Sequence, residues 1–425
     1  MPILLTAFIV AATVWTALSL WLSARQIACV RRHRDAVPAD FAANVTLEEH
    51  RKAADYTVAH ERLSIVRAVF DLAISLGWVL GGINLLYGAL AVMLPPSLGR
   101  GVAFLVATFA VGALLSLPLD IWSTFALEQR FGFNRTTPSM FAIDRLKGWA
   151  ISLAIAVPLL IACLWAMRTF AGLWWLWTWC GVLALMLAAP TVYVRLIAPR
   201  FNKFTLLQDG ELRARIETLL RRCGFRAGGL FSMDASRRSA HGNAFFIGFG
   251  KTKRVVLFDT LIDGSTPDEI EAVVAHELGH DRHRHVLFGL LRGAVMAFAM
   301  LAAFGWLSKQ AWLLPSLGIA YRDDALALLA CLLLFGMVGP LLAPVSNWIS
   351  RRNEFQADDY ARRQVAAAPM ISALLRLSRD NASTLTPDGL YALVHYSHPP
   401  VPLRIRHLHE AEAREGGGVP AGAAA

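Results

Sequence analysis

Charge is what this chain has least of. Only 17% of its 425 residues are Asp, Glu, Lys or Arg, while 56% are hydrophobic, and the mean hydropathy is +0.47. That balance excludes an ordinary soluble enzyme and fits a multi-pass membrane protein. Cysteine is scarce too. Cys29, Cys163, Cys180, Cys223 and Cys331 are scattered, odd in number and form no C-x-x-C. A disulfide framework and a thiolate metal site are therefore not expected. Nucleic-acid motifs are missing. The net charge of +10 would otherwise admit a nucleic-acid partner. The basic residues instead fall between apolar runs, where the positive-inside rule puts them. Residues 2–22 lack a basic leader and a small-residue cleavage site. They read as a retained anchor rather than a signal peptide. No internal repeat is present.

What the chain does have is apolar runs of spanning length, about 20 residues each. Seven occur, at 3–22, 66–94, 102–127, 149–167, 173–197, 286–307 and 325–348. The second and third are long enough to tilt or to reach beyond the lipid. Arg25, Arg31, Arg32, Arg34, Arg51, Lys52 and Arg62 follow the first run, and Arg130, Arg135, Arg145 and Lys147 follow the third. The fifth-to-sixth connection and the tail after Ser350 are also Arg-rich. The opposite side receives only Arg100, Arg168, Lys309 and Arg322. This asymmetry predicts a cytoplasmic C-terminus and an N-terminus outside. Arg67, Asp71 and Asp120 lie in or at the edge of apolar runs, where ionisable groups face other helices or water. The N-x-S/T matches at Asn44, Asn134 and Asn381 fall on the inside and read as chance.

One stretch carries chemistry: Val273-Val274-Ala275-His276-Glu277-Leu278-Gly279-His280. On a helix, His276 and His280 share a face and can reach one ion. Neutral imidazole is a good zinc ligand, and Glu277 can act as a base toward water without ligating the metal. A surface helix that happens to hold two histidines is the plain alternative. The context argues against it. Thr266-Pro267-Asp268-Glu269 reads as a capping box with Pro at the first helical position. Ile270, Val273 and Val274 give the helix a buried face.

A catalytic zinc takes three protein ligands. His283 and His285 are near in sequence. Glu354 is the stronger candidate, because it lies in a helical stretch after the last apolar run. Asp358 is four residues on, on the same face, where a carboxylate can hold a ligand histidine in one tautomer. The plain alternative is a salt-bridged helix at the membrane surface, given Arg351, Arg352, Arg362 and Arg363.

The rest of the insertion, 199–285, reads as a soluble unit. Leu212, Ile216, Leu219 and Leu220 have helical spacing, with Gly224 as the stop. Residues 244–249 and Arg254–Phe258 read as strands of a small sheet beside the zinc helix. The Gly/Ala-rich residues 415–425 read as disordered.

H-E-L-G-H followed by N-E-F-Q-A-D-x-x-A resembles the type I CAAX prenyl endopeptidases, integral-membrane zinc metalloproteases of the gluzincin kind. The likeness continues in residues 45–56, 131–138 and 243–250. It also takes in Pro387-Asp388-Gly389-Leu390-Tyr391 and Ser397-His398-Pro399-Pro400 with Arg404, so that it spans residues 25–408. One departure is Asp281, where eukaryotic members tend to carry an aromatic residue; His285 still matches. The resemblance implies one zinc ion held by His276, His280 and Glu354, with Glu277 as general base and then acid. Asp358 would orient a ligand histidine. His398 and Arg404 would polarise the scissile carbonyl or bind substrate, and Asn243 would sit on an edge strand that pairs with a peptide. It further implies seven spans around an intramembrane chamber, and a peptide or protein substrate cut near a prenylated C-terminus.

The expected fold is thus mainly α: a bundle of about seven membrane spans with a cytoplasmic-side zinc peptidase unit carrying a small β-sheet. The expected division is 1–198 (five spans), 199–412 (peptidase unit with two spans) and 413–425 (tail). Composition suits a bacterial cell membrane, where general turnover of membrane peptides is the alternative task. A transporter or channel would leave the capped helix, the Glu354–Asp358 pair and the His-Pro-Pro unexplained.

Overall fold

The structure, a computed structural model, describes residues 2–170, 172–225, 228–247 and 254–416. The expected residues 248–249 of the second-last strand and 417–425 of the tail lie outside the described residues.

Among the described residues, six helices are long and apolar enough to cross a membrane: Ile3–Arg32, Leu47–Met93, Leu98–Phe131, Pro138–Thr169, Trp174–Arg200 and His285–Leu307. The seventh run forms two helices, Asp324–Gly336 and Val338–Gln364, bent by 46°. Pro340 explains the break. It has no N–H to give the carbonyl of Gly336, and its ring crowds that carbonyl. The 47-residue second helix is about 70 Å long and overshoots the lipid, as its length predicts. Its polar first half begins with a capping box, Thr46 and Glu49.

Burial gathers in two main clusters. In one, Ile83, Tyr87, Phe104, Leu164, Trp174 and Phe304 pack with the Asp324–Gly336 helix. The other is the core of the peptidase unit. Even so, the apolar windows of the six helices are only 6–22% buried. Helices packed solidly side by side would bury far more, so most of this surface faces lipid or a hollow. Arg67 donates to Asp120 at 2.9 Å, and Arg145 approaches the same carboxylate at 3.1 Å. The charges in or at the edge of the apolar runs, Arg67 and Asp120, therefore face one another, which is how they are tolerated.

The peptidase unit holds a four-stranded sheet: β1 (Phe204–Leu206), β2 (Leu230–Met233), β3 (Ala244–Ile247) and β4 (Arg254–Phe258), in the order β1-β2-β4-β3. β2 runs parallel to β4, and the other pairs are antiparallel. β3 is consequently an edge strand. β1 and β2 were not expected; they are three and four residues long, too short to show an alternating pattern. Helix Glu211–Arg222 buries Ile216, Leu219 and Leu220 as its spacing predicts. Gly224, at φ +67°, ends it, with Phe225 N–H donating to Leu220 at 2.8 Å.

Helix Pro267–Arg282 carries the motif. Thr266 and Glu269 close the expected capping box around it, and Ile270, Val273 and Val274 are buried. Glu269 does more than cap, since it also accepts from Ser372 at 2.5 Å and Arg376 at 2.8 Å. Burial alone would raise its carboxyl. The bonds from Ser372 and Thr266 and the charge of Arg376 outweigh burial and hold it below the ordinary value of 4.5. Glu269→Ala should cost about 2–4 kcal/mol in unfolding free energy at neutral pH. The folded carboxyl titrates lower than the unfolded one, so its stabilisation is present above pH 4.5 and fades as pH falls through the folded value. The gap between wild type and variant should therefore close on acidification, which thermal unfolding against pH would read.

Candidate active site

Two helices cross to build the site. Gly279 on Pro267–Arg282 meets Ala357 on Val338–Gln364. A Cβ at Gly279 would lie 2.8 Å from Ala357 Cα and 3.0 Å from its carbonyl oxygen. Only glycine permits this approach, and it brings His276 and His280 opposite Glu354 and Asp358. Gly279→Ala should force the helices apart, costing about 1–3 kcal/mol and lowering metal retention. An unchanged melting temperature and metal content would contradict so close a crossing.

At the crossing, one ligand atom from each of His276, His280 and Glu354 lies within 4.8 Å of the others. His276 Nε2 is 3.5 Å from Glu354 Oε2, and His280 Nε2 is 3.3 Å from Glu354 Oε1. The two Nε2 atoms are 3.3 Å apart. Hydrogen bonds fix both tautomers. His276 Nδ1 lies 2.8 Å from Asp358, so it carries the proton and leaves Nε2 with a lone pair. His285 Nε2 donates to Gln356 Oε1 at 2.9 Å, which leaves His285 Nδ1 to accept from His280 Nδ1 at 3.0 Å. His280 Nε2 is then unprotonated as well. Two lone pairs and a carboxylate converging on one point fit a cation and little else. Electrostatics agree. Burial and Arg404 press the His276 pKa down, but Asp358 and Glu354 outweigh them and push it up to about 9. The site favours an added positive charge, which a metal supplies in place of a proton.

His285 thus sits behind His280 rather than beside it in the ligand group, and the exposed His283 stacks on His285. Arg404 is buried, with Nε 2.8 Å and Nη2 2.5 Å from the Asp358 carboxylate. Its guanidinium is committed there and lies 3.6 Å from Glu354. His398 is the exposed contrast: its side chain is 67% exposed, with Nε2 3.4 Å from Glu354 Oε1 and Nδ1 3.0 Å from Ser397 Oγ. Glu277 lines the same cavity of about 180 Å³ and makes no hydrogen bond among the described residues. Burial pushes its carboxyl above the ordinary range, with the two histidines pulling it partly back. Asn243 is exposed on the cavity wall. Its side chain accepts from Ala244 N–H at 2.8 Å, and its carbonyl holds Phe258 N–H at 3.0 Å. It therefore stands at the start of edge strand β3.

A second polar cluster had no signal in the sequence. Glu128 accepts from Tyr56 and from His60, each at 2.9 Å, and lies 3.7 Å from His241. His241 also pairs with Asn381 at 3.0 Å and stacks on Phe133. Glu128 raises the His241 imidazole above its ordinary value. The cluster ties two membrane helices to the segment that leads into Asn243. Its members, from Tyr56 to Asn381, are up to 325 residues apart in the chain, so spacing could not reveal it.

The chain is similar to known proteins along most of its length. The profile for the CAAX prenyl protease N-terminal region, five membrane helices, matches residues 26–203, and that of Peptidase family M48 matches 206–412. A CAAX prenyl protease 1 homolog of Arabidopsis thaliana is 37% identical over 72% of this chain and 73% of its own. The CAAX prenyl protease 1 of Saccharomyces cerevisiae is 32% identical over 85% and 86%. The crystal structure of S. mikatae Ste24p superposes with a TM-score of 0.87 at 28% identity, covering 94% of this chain and 97% of that one. Sequence likeness, shared helices and matching fold converge on one statement: the chain belongs to peptidase family M48, among its CAAX prenyl proteases, and is a membrane metalloprotease.

Proposed function

We propose that this protease holds one zinc ion through His276 Nε2, His280 Nε2 and Glu354, and that it cleaves proteins near a prenylated C-terminus. The convergence of those three ligand atoms carries the catalytic reading. The names of the relatives carry the substrate class. When bound, zinc supplies Lewis acidity for peptide hydrolysis.

The chain's own residues do the rest. Glu277, poised by burial, takes a proton from the attacking water and returns it to the leaving amine. Asp358 holds His276 in the ligand tautomer, and Arg404 holds Asp358 in place. His398, exposed and beside Glu354, is the group free to donate to the developing oxyanion. The peptide lies extended along β3 from Asn243, adding a strand to the open edge. A cavity of about 620 Å³ adjoins the catalytic one through His398 and Arg404 and gives room for the residues beyond the scissile bond. The Lys/Arg asymmetry supports a site facing the cytoplasm, and composition a bacterial cell membrane. We keep 1–198 and 199–412 as the membrane and peptidase units, with 413–425 as a tail.

A farnesylated CAAX peptide and its unprenylated twin test the substrate. The farnesylated peptide should be cut with the higher kcat/KM. Equal cleavage of both would favour a general protease that turns over membrane peptides.

A further inference from the structure

Outside the catalytic region, one cavity combines an apolar wall with unpaired charge. It lies between helices Leu47–Met93 and Leu98–Phe131, and its volume is about 350 Å³. Leu63, Val66, Trp122 and Leu127 supply the apolar wall, and Arg62 and Arg130 stand at its rim. Both arginines are exposed and have no ion-pair partner among the described residues.

No carboxylate forms an ion pair with either arginine among the described residues, although the Arg130 charge reaches Asp55 and one oxygen of Glu61 has no hydrogen-bond partner. Glu61 is buried and accepts from Tyr391 at 2.7 Å. Glu128 belongs to the Tyr56–His60–His241 cluster, and Asp55 accepts from Arg34 Nε and Nη2 at 2.7 Å each. Two guanidinium groups are thus left facing the mouth of an oily groove.

Their depth is informative. Arg62 precedes the apolar run of its helix by four residues, and Arg130 follows that of its helix by three. Both therefore stand within about 6 Å of where the hydrocarbon ends, at the level of lipid phosphates. Trp122 lies eight residues deeper on the same helix, roughly 12 Å toward the bilayer centre. The groove is apolar along that descent. We propose that this cleft is a binding site for an anionic phospholipid, with its phosphate between Arg62 and Arg130 and one acyl chain along Leu63, Val66 and Trp122. Arginine forks suit phosphate oxygens, and the apolar wall requires a chain attached to the phosphate. The inner wall, Leu127, also packs under the Glu128 cluster, so the lipid would rest against the helices that lead to the active site.

The test uses the full chain in neutral detergent and native mass spectrometry. Phosphatidylglycerol and phosphatidylcholine with identical acyl chains are added in equal amounts. Retention of phosphatidylglycerol should exceed that of phosphatidylcholine by roughly tenfold or more, with the preference shrinking as salt rises. Arg62→Glu with Arg130→Glu should abolish the preference, and the double Lys variant should keep part of it. Ala126→Trp, which fills the groove and leaves the charges, should lower retention as well. Peptide hydrolysis and melting temperature in neutral detergent report that the variants are folded. Arg31→Glu with Arg32→Glu makes the same charge change at the end of the first span. An equal loss there would overturn the proposal in favour of diffuse surface charge. Displacement of the lipid by soluble glycerol phosphate alone would overturn it in favour of a simple anion site. Displacement by the farnesylated peptide would overturn it in favour of a substrate channel.

Discussion

Glu277→Gln keeps its metal and loses hydrolysis by about three orders of magnitude or more. The substitution is nearly isosteric and removes only the capacity to accept a proton. Glu277 makes no hydrogen bond among the described residues, so the substitution breaks none. It is not one of the three converging ligands, and metal content should therefore match wild type. The loss should fall on kcat, since Glu277 acts on the reacting water rather than holding the peptide. Purified variant with full metal and wild-type turnover would remove Glu277 from the chemistry.

Glu354→Ala has the opposite signature, losing metal first and activity as a consequence. Disturbing a group behind a metal ligand typically costs 10- to 100-fold in affinity, and removing a ligand outright should cost more than about 100-fold. The carboxylate also faces Arg404 at 3.6 Å and His398 at 3.4 Å, so a folding control is needed. Glu354→Gln keeps the volume and hydrogen bonding while weakening ligation, and should show the same loss of metal at near-normal melting temperature. Elemental analysis after dialysis would read both. Full metal content in either variant would shift the third ligand to His285, against the bonds that now point both its nitrogens elsewhere.

The features legible in the sequence were local ones. The capping box at Thr266, the burial of Ile270 and Val274, and the pairing of His276 with His280 follow from spacing on a single helix. Glu354 and Asp358 were legible because they too share one helical face, and the structure places them across from the histidines. The spans were legible because an apolar run of bilayer length has few other readings. Features set by packing were not legible. The contact of Gly279 with Ala357, the chain from His280 through His285 to Gln356, and the meeting of Glu128 with His241 all join distant segments. The commitment of Arg404 to Asp358 is of the same kind. From the family likeness it read as a group that lines the site and polarises the scissile carbonyl or binds substrate; it lines the cavity, and its buried guanidinium also meets a carboxylate 46 residues away. The break in the seventh span was within reach of sequence, since Pro340 stands four residues after Gly336, but the apolar run concealed it.

Everything rests on a centre made of two imidazoles and one carboxylate. Zinc K-edge X-ray absorption on the purified wild-type protein, with metal content measured on the same sample, tests it most directly. The expected result is one zinc per chain, a nitrogen and oxygen shell at about 2.0–2.1 Å, and scattering from two imidazole rings. Scattering from three rings, or a protein that hydrolyses peptide with no bound zinc, would contradict it.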